Sequence, residues 1–309
     1  MNFQSMEYFL ALDKERSFTK AAERLHITQQ TLSAHIAALE RELGTQLFVR
    51  HVPLELTHGG EVFARYAVEF QQKQLALQRE FSDIAENKAG VLRVGIAPTR
   101  GRVLMPALIE SFRRVYPKVT ISMLEAPNDI LQQKLLDGEV DLGIGNFIEK
   151  LPGISLQEFY EEEIVLLLPK QLLVKIRGKG AVGKIKAGGV DEAIAFLQEC
   201  PLLLNAHQDI AGKMGRSLLA ARKLTPWVAA QSENIGTLLE LCVRGVGACF
   251  SPLNLAKELL SEQELEQLLI ISLGEQARYM LHLGWLADNC QWSLLEKFIS
   301  LCLESRKGS

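Results

Sequence analysis

Gln29, Gln30, Ser33, Ala34 and Ala37 put amide-bearing or short side chains at helical spacing, a combination suited to reading base-pair edges in a DNA groove. A glutamine can bond two edges of adenine at once, whereas the hydroxyls of Thr28 and Ser33 more often hold phosphate. Such residues need a helix with one buried side and one bare side. Thr28 predicts its N-cap, and Leu32, Ile36, Leu39 and Leu43 recur at steps of three and four to define the buried side. In the preceding helix, capped by Ser17 or Thr19, Ala21, Ala22 and Leu25 form the inner face. Alanines there are small enough to let a second helix cross closely, and Ile27 plugs the turn. The same spacing suits an ordinary helical hairpin at a domain edge, so the hairpin alone leaves both readings open.

The surrounding residues separate them. Phe18-Thr19-Lys20-Ala21-Ala22, then Leu25, Gln29, Ser33, Ile36, Leu39-Glu40, Leu43-Gly44, Leu47-Phe48, Arg50 and Leu56-Thr57-His58-Gly59-Gly60 resemble the amino-terminal domain of LysR-type transcriptional regulators. The family's usual Leu-Thr-x-Ala-Gly stands here as Leu-Thr-His-Gly-Gly, a mild departure. Length and later segments fit too, so the resemblance spans essentially the whole chain. It implies a bacterial, cytoplasmic, sequence-specific DNA-binding regulator controlled by a small-molecule effector. It further implies a dimer made by a linker helix, a tetramer on an interrupted palindrome of double-stranded DNA, and RNA polymerase as a partner. Thr28, Gln29, Gln30, Thr31, Ser33, Ala34, His35 and Arg50 are the expected DNA-binding residues. Gln29, Gln30 and Ser33 are assigned to bases, and Thr28, Thr31 and Arg50 to the backbone.

Charge alone would not have pointed there. The chain carries a net charge of -3, and residues 1–60 hold six lysines and arginines against seven acids. Phosphate affinity then rests on a local arrangement of Lys20, Arg24 and Arg50, on helix amino termini and on duplication of the site in an oligomer. No apolar run reaches the length of a membrane span, and the first residues lack a signal pattern, which predicts a cytoplasmic protein with no membrane partner.

From His58 to about Lys88 the chain reads as one helix. Phe63, Phe70, Leu77 and Ile84 are spaced by seven, with Tyr66, Ala67, Gln74 and Phe81 beside them and Lys73 and Glu80 interrupting. So long an apolar seam needs a partner, either its own globular domain or a second subunit, and its position between two domains favours the subunit. From Gly90 strands and helices alternate, as in an open parallel sheet. The expected fold is multidomain: an all-α winged helix-turn-helix domain (1–58), a linker helix (59–89), and a two-lobed α/β effector domain resembling type 2 periplasmic binding proteins. Its first lobe comprises 90–162 and 269–304, and its second lobe 163–268.

Ligands in such sheets sit beyond the carboxyl ends of the strands, between the lobes. That rule gives Pro98, Thr99 and Arg100, then Pro127, Asn128 and Asp129, then Asn146 and Phe147. The second lobe offers Asn205, Ala206 and His207, with the turn Gly245-Val246-Gly247 leading into a strand at the cleft. The resemblance points to the turns at Thr99–Arg100, Asn128, Asn205 and Gly247, so the expected effector-binding set is Pro98, Thr99, Arg100, Asn128, Phe147, Asn205 and Gly247. Two helix starts, Thr99 and an arginine suit a small carboxylate or another anion. Glu125 and Asp129 equally suit an amine or amino acid, while Arg100 on the surface and Asn128 as a helix cap are the plain alternatives.

Three other features invite chemistry. Gly178 to Lys184 has the glycine and lysine spacing of a phosphate-binding loop, but Ile185 replaces the required hydroxyl residue and Gly188-Gly189 interrupt the following helix, predicting a flexible basic loop. Cysteines at 200, 242, 249, 290 and 302 form no metal pattern, and Cys242 and Cys249 suit packing in a helix and a strand. The scattered histidines place no base near a nucleophile, so neither enzymatic activity nor a cofactor or metal is expected. Two other functions fit parts of the chain: a stand-alone small-molecule binding protein with an assembly-only amino-terminal domain, and a cysteine-based redox-responsive regulator.

Overall fold

Asn2 accepts the Ser5 N–H at 2.9 Å and opens α1 (Phe3–Glu15), a helix the sequence reading passed over although Met6, Phe9 and Leu12 recur at helical spacing and are buried. Helix α2 (Phe18–Arg24) follows, capped by Ser17 rather than Thr19. Thr28 caps α3 (Gln29–Leu43), which buries Leu32, Ile36 and Leu39 as expected. Leu43, just before the left-handed Gly44, stays 39% exposed. Strands β1 (Phe48–Val49) and β2 (Glu55–Leu56) pair antiparallel, so the domain expected to be all-α carries a small ribbon. The computed structural model describes residues 2–49, 54–84, 90–147, 153–205, 209–287 and 292–306. Arg50 lies outside the described residues.

A buried carboxylate fastens the ribbon to α3. Glu40 Oε1 accepts the Leu47 N–H at 2.8 Å and the Phe48 N–H at 3.3 Å. Glu40→Ala removes that acceptor, and the amino-terminal unit is expected to lose about 1–3 kcal/mol. Urea unfolding of the full chain followed by helical circular dichroism measures it; a loss under about 0.5 kcal/mol would mean that water replaces the carboxylate.

Helix α4 (His58–Ile84) starts where Thr57 Oγ1 accepts the Gly60 N–H at 3.0 Å and donates to the Gln46 carbonyl at 2.6 Å. Phe63 and Ala67 are buried within their own unit, and the Phe9 ring centroid lies 4.7 Å from that of Phe63 and 5.0 Å from that of Phe48. The first turns of the seam are therefore covered by the same chain. Tyr66, Phe70, Leu77 and Phe81 are exposed, and their spacing keeps them on one side of α4. Tyr66 and Phe70, with Met6, Leu43 and Val62, border an apolar groove of about 380 Å³. The side chain of Ile84 lies outside the described residues.

Residues 1–88 form most of one compact unit, and residues 89–290 with 294–309 form the second. The second unit begins β3 (Gly90–Ile96), α5 (Pro98–Val115), β4 (Val119–Glu125), α6 (Asn128–Leu136), β5 (Leu142–Gly145), with β3 parallel to both neighbours. Helix α5 starts at Pro98, because proline at a first helical position loses no hydrogen bond. Strand β6 (Ile154–Pro169) serves both lobes. Then come α7 (Lys170–Arg177), α8 (Ala181–Phe196), β7 (Leu202–Asn205), α9 (Ile210–Ala221), β8 (Val228–Ser232), α10 (Ile235–Val243), β9 (Ala248–Pro252), α11 (Leu253–Leu259), α12 (Glu262–Glu266), β10 (Leu268–Ser272), β11 (Arg278–Leu286) and α13 (Ser293–Arg306). The strand orders are β4-β3-β5-β11-β6 in the first lobe and β10-β6-β9-β7-β8 in the second.

Two expectations change here. The expected basic loop is helical: α7 and α8 occupy it, and α8 bends at Gly189 with φ 64°. Burial of Ala181 and Ile185, one helical turn apart in the second lobe's core, offsets the cost of roughly 1 kcal/mol for each exposed glycine in that helix. Strand β10, expected in the first lobe from residue 269 on, pairs antiparallel with Val165–Pro169 of β6 and so belongs to the second. The chain returns to the first lobe at β11, which pairs with Ile154–Glu163.

Candidate functional site

Helix α3 presents the features that a groove reader needs. Gln29, Gln30, Thr31 and Ala34 are exposed. Thr28 Oγ1 accepts the Thr31 N–H at 3.1 Å and lies 2.8 Å from Thr31 Oγ1, so both hydroxyls stand at the helix start. Ser33 is half-buried at the flank. His35 is drawn toward α1, its ring 4.9 Å from the Tyr8 ring and at 89° to it, which corrects its placement on the reading face. The outward line is instead Gln30, Ala34, Ala38 and Arg41, all exposed. Arg41 was missed, though its spacing of four, four and three from those residues marked it. Arg24 is tied to Glu15 at 2.9 Å, which leaves Lys20 as the more available of the two expected cations among the described residues.

The second unit gathers a polar cluster where its lobes meet. Arg100, in the first turn of α5, is buried, against the alternative of a surface arginine. Its Nη2 donates to Glu162 Oε2 at 2.7 Å and to the Tyr279 hydroxyl at 3.2 Å. Tyr160 donates to Glu162 Oε1 at 3.1 Å, and Tyr279 makes a short bond to Oε2. Burial alone would lower the pKa of Arg100, but Glu162 and the two tyrosines raise it above its ordinary value. Burial, then the Glu162 carboxylate, pushes the Tyr160 hydroxyl upward. From the second lobe Asp209, the N-cap of α9, accepts the Gly212 N–H and lies within the field of Arg100; burial raises its pKa against both influences.

The carboxyl ends of β3, β4 and β7 carry Pro98, Thr99, Arg100, Asn128 and Asn205 as expected. Pro98 is exposed, Thr99 and Asn128 are half-buried and Asn205 is buried beside Asp209. Arg100 Nε and Asn128 Oδ1 are buried with no hydrogen-bond partner, one donor and one acceptor left over. Neither α5 nor α6 has a side-chain cap. The other two expected residues stand differently. Phe147 is 3% exposed and packs with Leu131, Leu135 and Val140 in the first lobe's core. Gly247 precedes the amino end of β9, where its Cβ position would lie 2.6 Å from the Pro201 carbonyl oxygen; β7 and β9 run parallel, so Asn205 ends the opposite edge of that sheet. Glu162, Tyr160, Tyr279 and Asp209 were missed, because a strand pattern does not say which acid meets a distant arginine. Ala206 and His207 lie outside the described residues.

Cys242 Sγ donates to the Leu167 carbonyl at 3.6 Å. Cys242 and Cys249 are both buried, and the neighbouring Cys249 thiol first and burial second push Cys242 well above the ordinary thiol range. Burial raises Cys200 to about 11. The Cys200 and Cys242 thiols therefore hold little thiolate at neutral pH.

A family model described as bacterial regulatory helix-turn-helix protein, lysR family, matches residues 3–61, and one described as LysR substrate binding domain matches residues 85–307. The uncharacterized HTH-type transcriptional regulator YcgK of Bacillus subtilis (strain 168) is 30% identical over 259 residues, covering 82% of this chain and 80% of that protein. Full-length CbnR complexed with its target DNA shares the fold at a TM-score of 0.59 and 22% identity, over 99% of this chain and 100% of that one. A full-length OxyR variant of Pseudomonas aeruginosa does so at 0.67 and 23%, over 99% and 94%.

Proposed function

The chain belongs to the LysR family, as a DNA-binding transcriptional regulator with an effector-binding domain, and from that premise we propose how its own residues divide the work. Gln29 and Gln30 read base edges in a major groove, Ser33 assists from the flank, and Thr28, Thr31 and Arg50 hold the backbone. The exposed stripe Tyr66, Phe70, Leu77 and Phe81 joins two subunits, and pairs of dimers bind an interrupted palindrome. The protein works in the cytoplasm, contacts RNA polymerase and catalyses no reaction.

The effector is a small polar metabolite held between the lobes. The single observation that carries this reading is the pair of orphaned groups, Arg100 Nε and Asn128 Oδ1, beside two uncapped helix starts at the carboxyl ends of neighbouring strands. Because Glu162 already neutralises the Arg100 guanidinium, an effector carboxylate would rely on the N–H groups of those helices. The effector acts by binding one lobe arrangement more tightly than another; equal affinity for both would change nothing.

Selection of genomic fragments with the purified protein at two salt concentrations tests the DNA reading. A spaced palindrome should be enriched, and Gln30→Ala should relax preference at one base pair by about 1–3 kcal/mol. Equal weakening on all sequences would reassign Gln30 to phosphate, and recovery of random fragments alone would overturn site-specific reading. The selected DNA then serves in a metabolite screen, where an effector must shift the affinity and lose its effect when Asn128 is replaced by Leu.

A further inference from the structure

Residues 170–189 hold six lysines and arginines and no acid, and no other acid-free stretch of the chain carries as many. Two of the six are engaged. Arg177 binds Glu192 at 2.5 Å and both carboxylate oxygens of Glu199 at 2.5 and 3.1 Å, and Lys170 donates to the Glu266 carbonyl. Lys175, Lys179, Lys184 and Lys186 are exposed, and among the described residues no carboxylate pairs with any of them. They also stand on a firm base. Leu172 and Leu173 of α7 and Ala181 and Ile185 of α8 are built into the second lobe's core, and the Arg177 guanidinium lies 5.1 Å from the Phe196 ring centroid. Glu192 and Glu199 are both taken by Arg177, and Asp191 of α8 by Arg222.

An unpaired cationic surface in a chain of net charge -3 calls for a polyanion, and this regulator already binds one. Affinity for DNA grows with the number of phosphates neutralised. The amino-terminal 60 residues have more acids than cations, and two of those cations are tied up, Arg16 with Asp13 and Arg24 with Glu15. We infer that the α7–α8 hairpin is a second, sequence-independent contact to the DNA backbone, made by Lys175, Lys179, Lys184 and Lys186. Such contacts carry no sequence information, so the hairpin sets affinity and salt dependence while α3 sets the choice of site. The phosphate-loop spacing within it is incidental: Gly183 lies inside α8 and Ile185 faces the core, where a nucleotide site needs an open turn and a hydroxyl.

The test uses the full chain and a random-sequence duplex of about 200 base pairs, with binding measured across a salt series. Replacing all four lysines by glutamine should lower the slope of log affinity against log salt by about 2–4 and weaken binding roughly tenfold or more at low salt. The matching four-arginine variant should behave as the parent, which separates charge from packing. Thermal melting of the glutamine variant should match the parent, since the four side chains are exposed. An unchanged slope and affinity would overturn the inference. So would intact DNA binding with lost transcription by purified RNA polymerase, which would assign the surface to a protein partner.

Discussion

Replacing Glu162 by leucine should destabilise the effector-binding unit by about 3–5 kcal/mol, the usual cost of leaving a buried charge without its partner. The side chains of Arg100 and Glu162 are 6% and 0% exposed, so water cannot take over when the carboxylate is removed. Tyr160 and Tyr279 lose their acceptor at the same stroke. Urea unfolding of the full chain, followed by circular dichroism, measures the loss. The double variant Arg100→Met with Glu162→Leu should recover most of it, because a buried ion pair is often worth no more than apolar residues of similar volume. A single-variant loss under about 1 kcal/mol would show that the pair is solvated. The double variant should also respond differently to any effector, since Arg100 Nε is removed with the pair.

Gly60→Ala should abolish DNA binding by unfolding the amino-terminal unit, while Gly59→Ala leaves it intact. A Cβ at Gly60 would stand 2.1 Å from the Leu47 carbonyl oxygen, a backbone atom fixed by the ribbon and by the Thr57 N–H that it accepts. Relief requires moving β1 or the start of α4, at a cost of about 3 kcal/mol or more. A Cβ at Gly59 would meet the Thr45 methyl at 3.2 Å, and Thr45 is an exposed side chain that can turn away. Removing a glycine from a helix gains about 0.5–1 kcal/mol, so Gly59→Ala should be neutral or slightly stabilising. Thermal melts and binding to random-sequence DNA distinguish the two. Equal effects of both substitutions would refute the geometric account. The two glycines also explain the departure in the Leu-Thr-His-Gly-Gly motif: the second position excludes a side chain, whereas the first admits the alanine usual in similar chains.

Much of this architecture was legible because it is periodic. Leu32, Ile36 and Leu39 declared the inner side of α3 and Thr28 its start, since helical geometry and capping act over three or four residues. Strand and helix alternation from Gly90 likewise announced an open sheet and named the ends where Thr99, Arg100, Asn128 and Asn205 stand. Other features needed the fold. Glu162 is 62 residues from Arg100, and nothing local in either segment says that they meet. Phe147 follows a strand end, yet its ring turns into the core; Gly247 precedes a strand, and only the parallel pairing of β7 and β9 reveals that it lies at the edge opposite Asn205. Glycine content argued against a helix through residues 181–188, and burial of Ala181 and Ile185 overrode it. Sequence by itself determined which residues form the elements, which faces are apolar and the family to which the chain belongs, because those depend on spacing along the chain. Tertiary structure alone decided which charges pair, which sheet edge faces the ligand site and which seam residues are covered, because these depend on contacts between segments far apart in sequence.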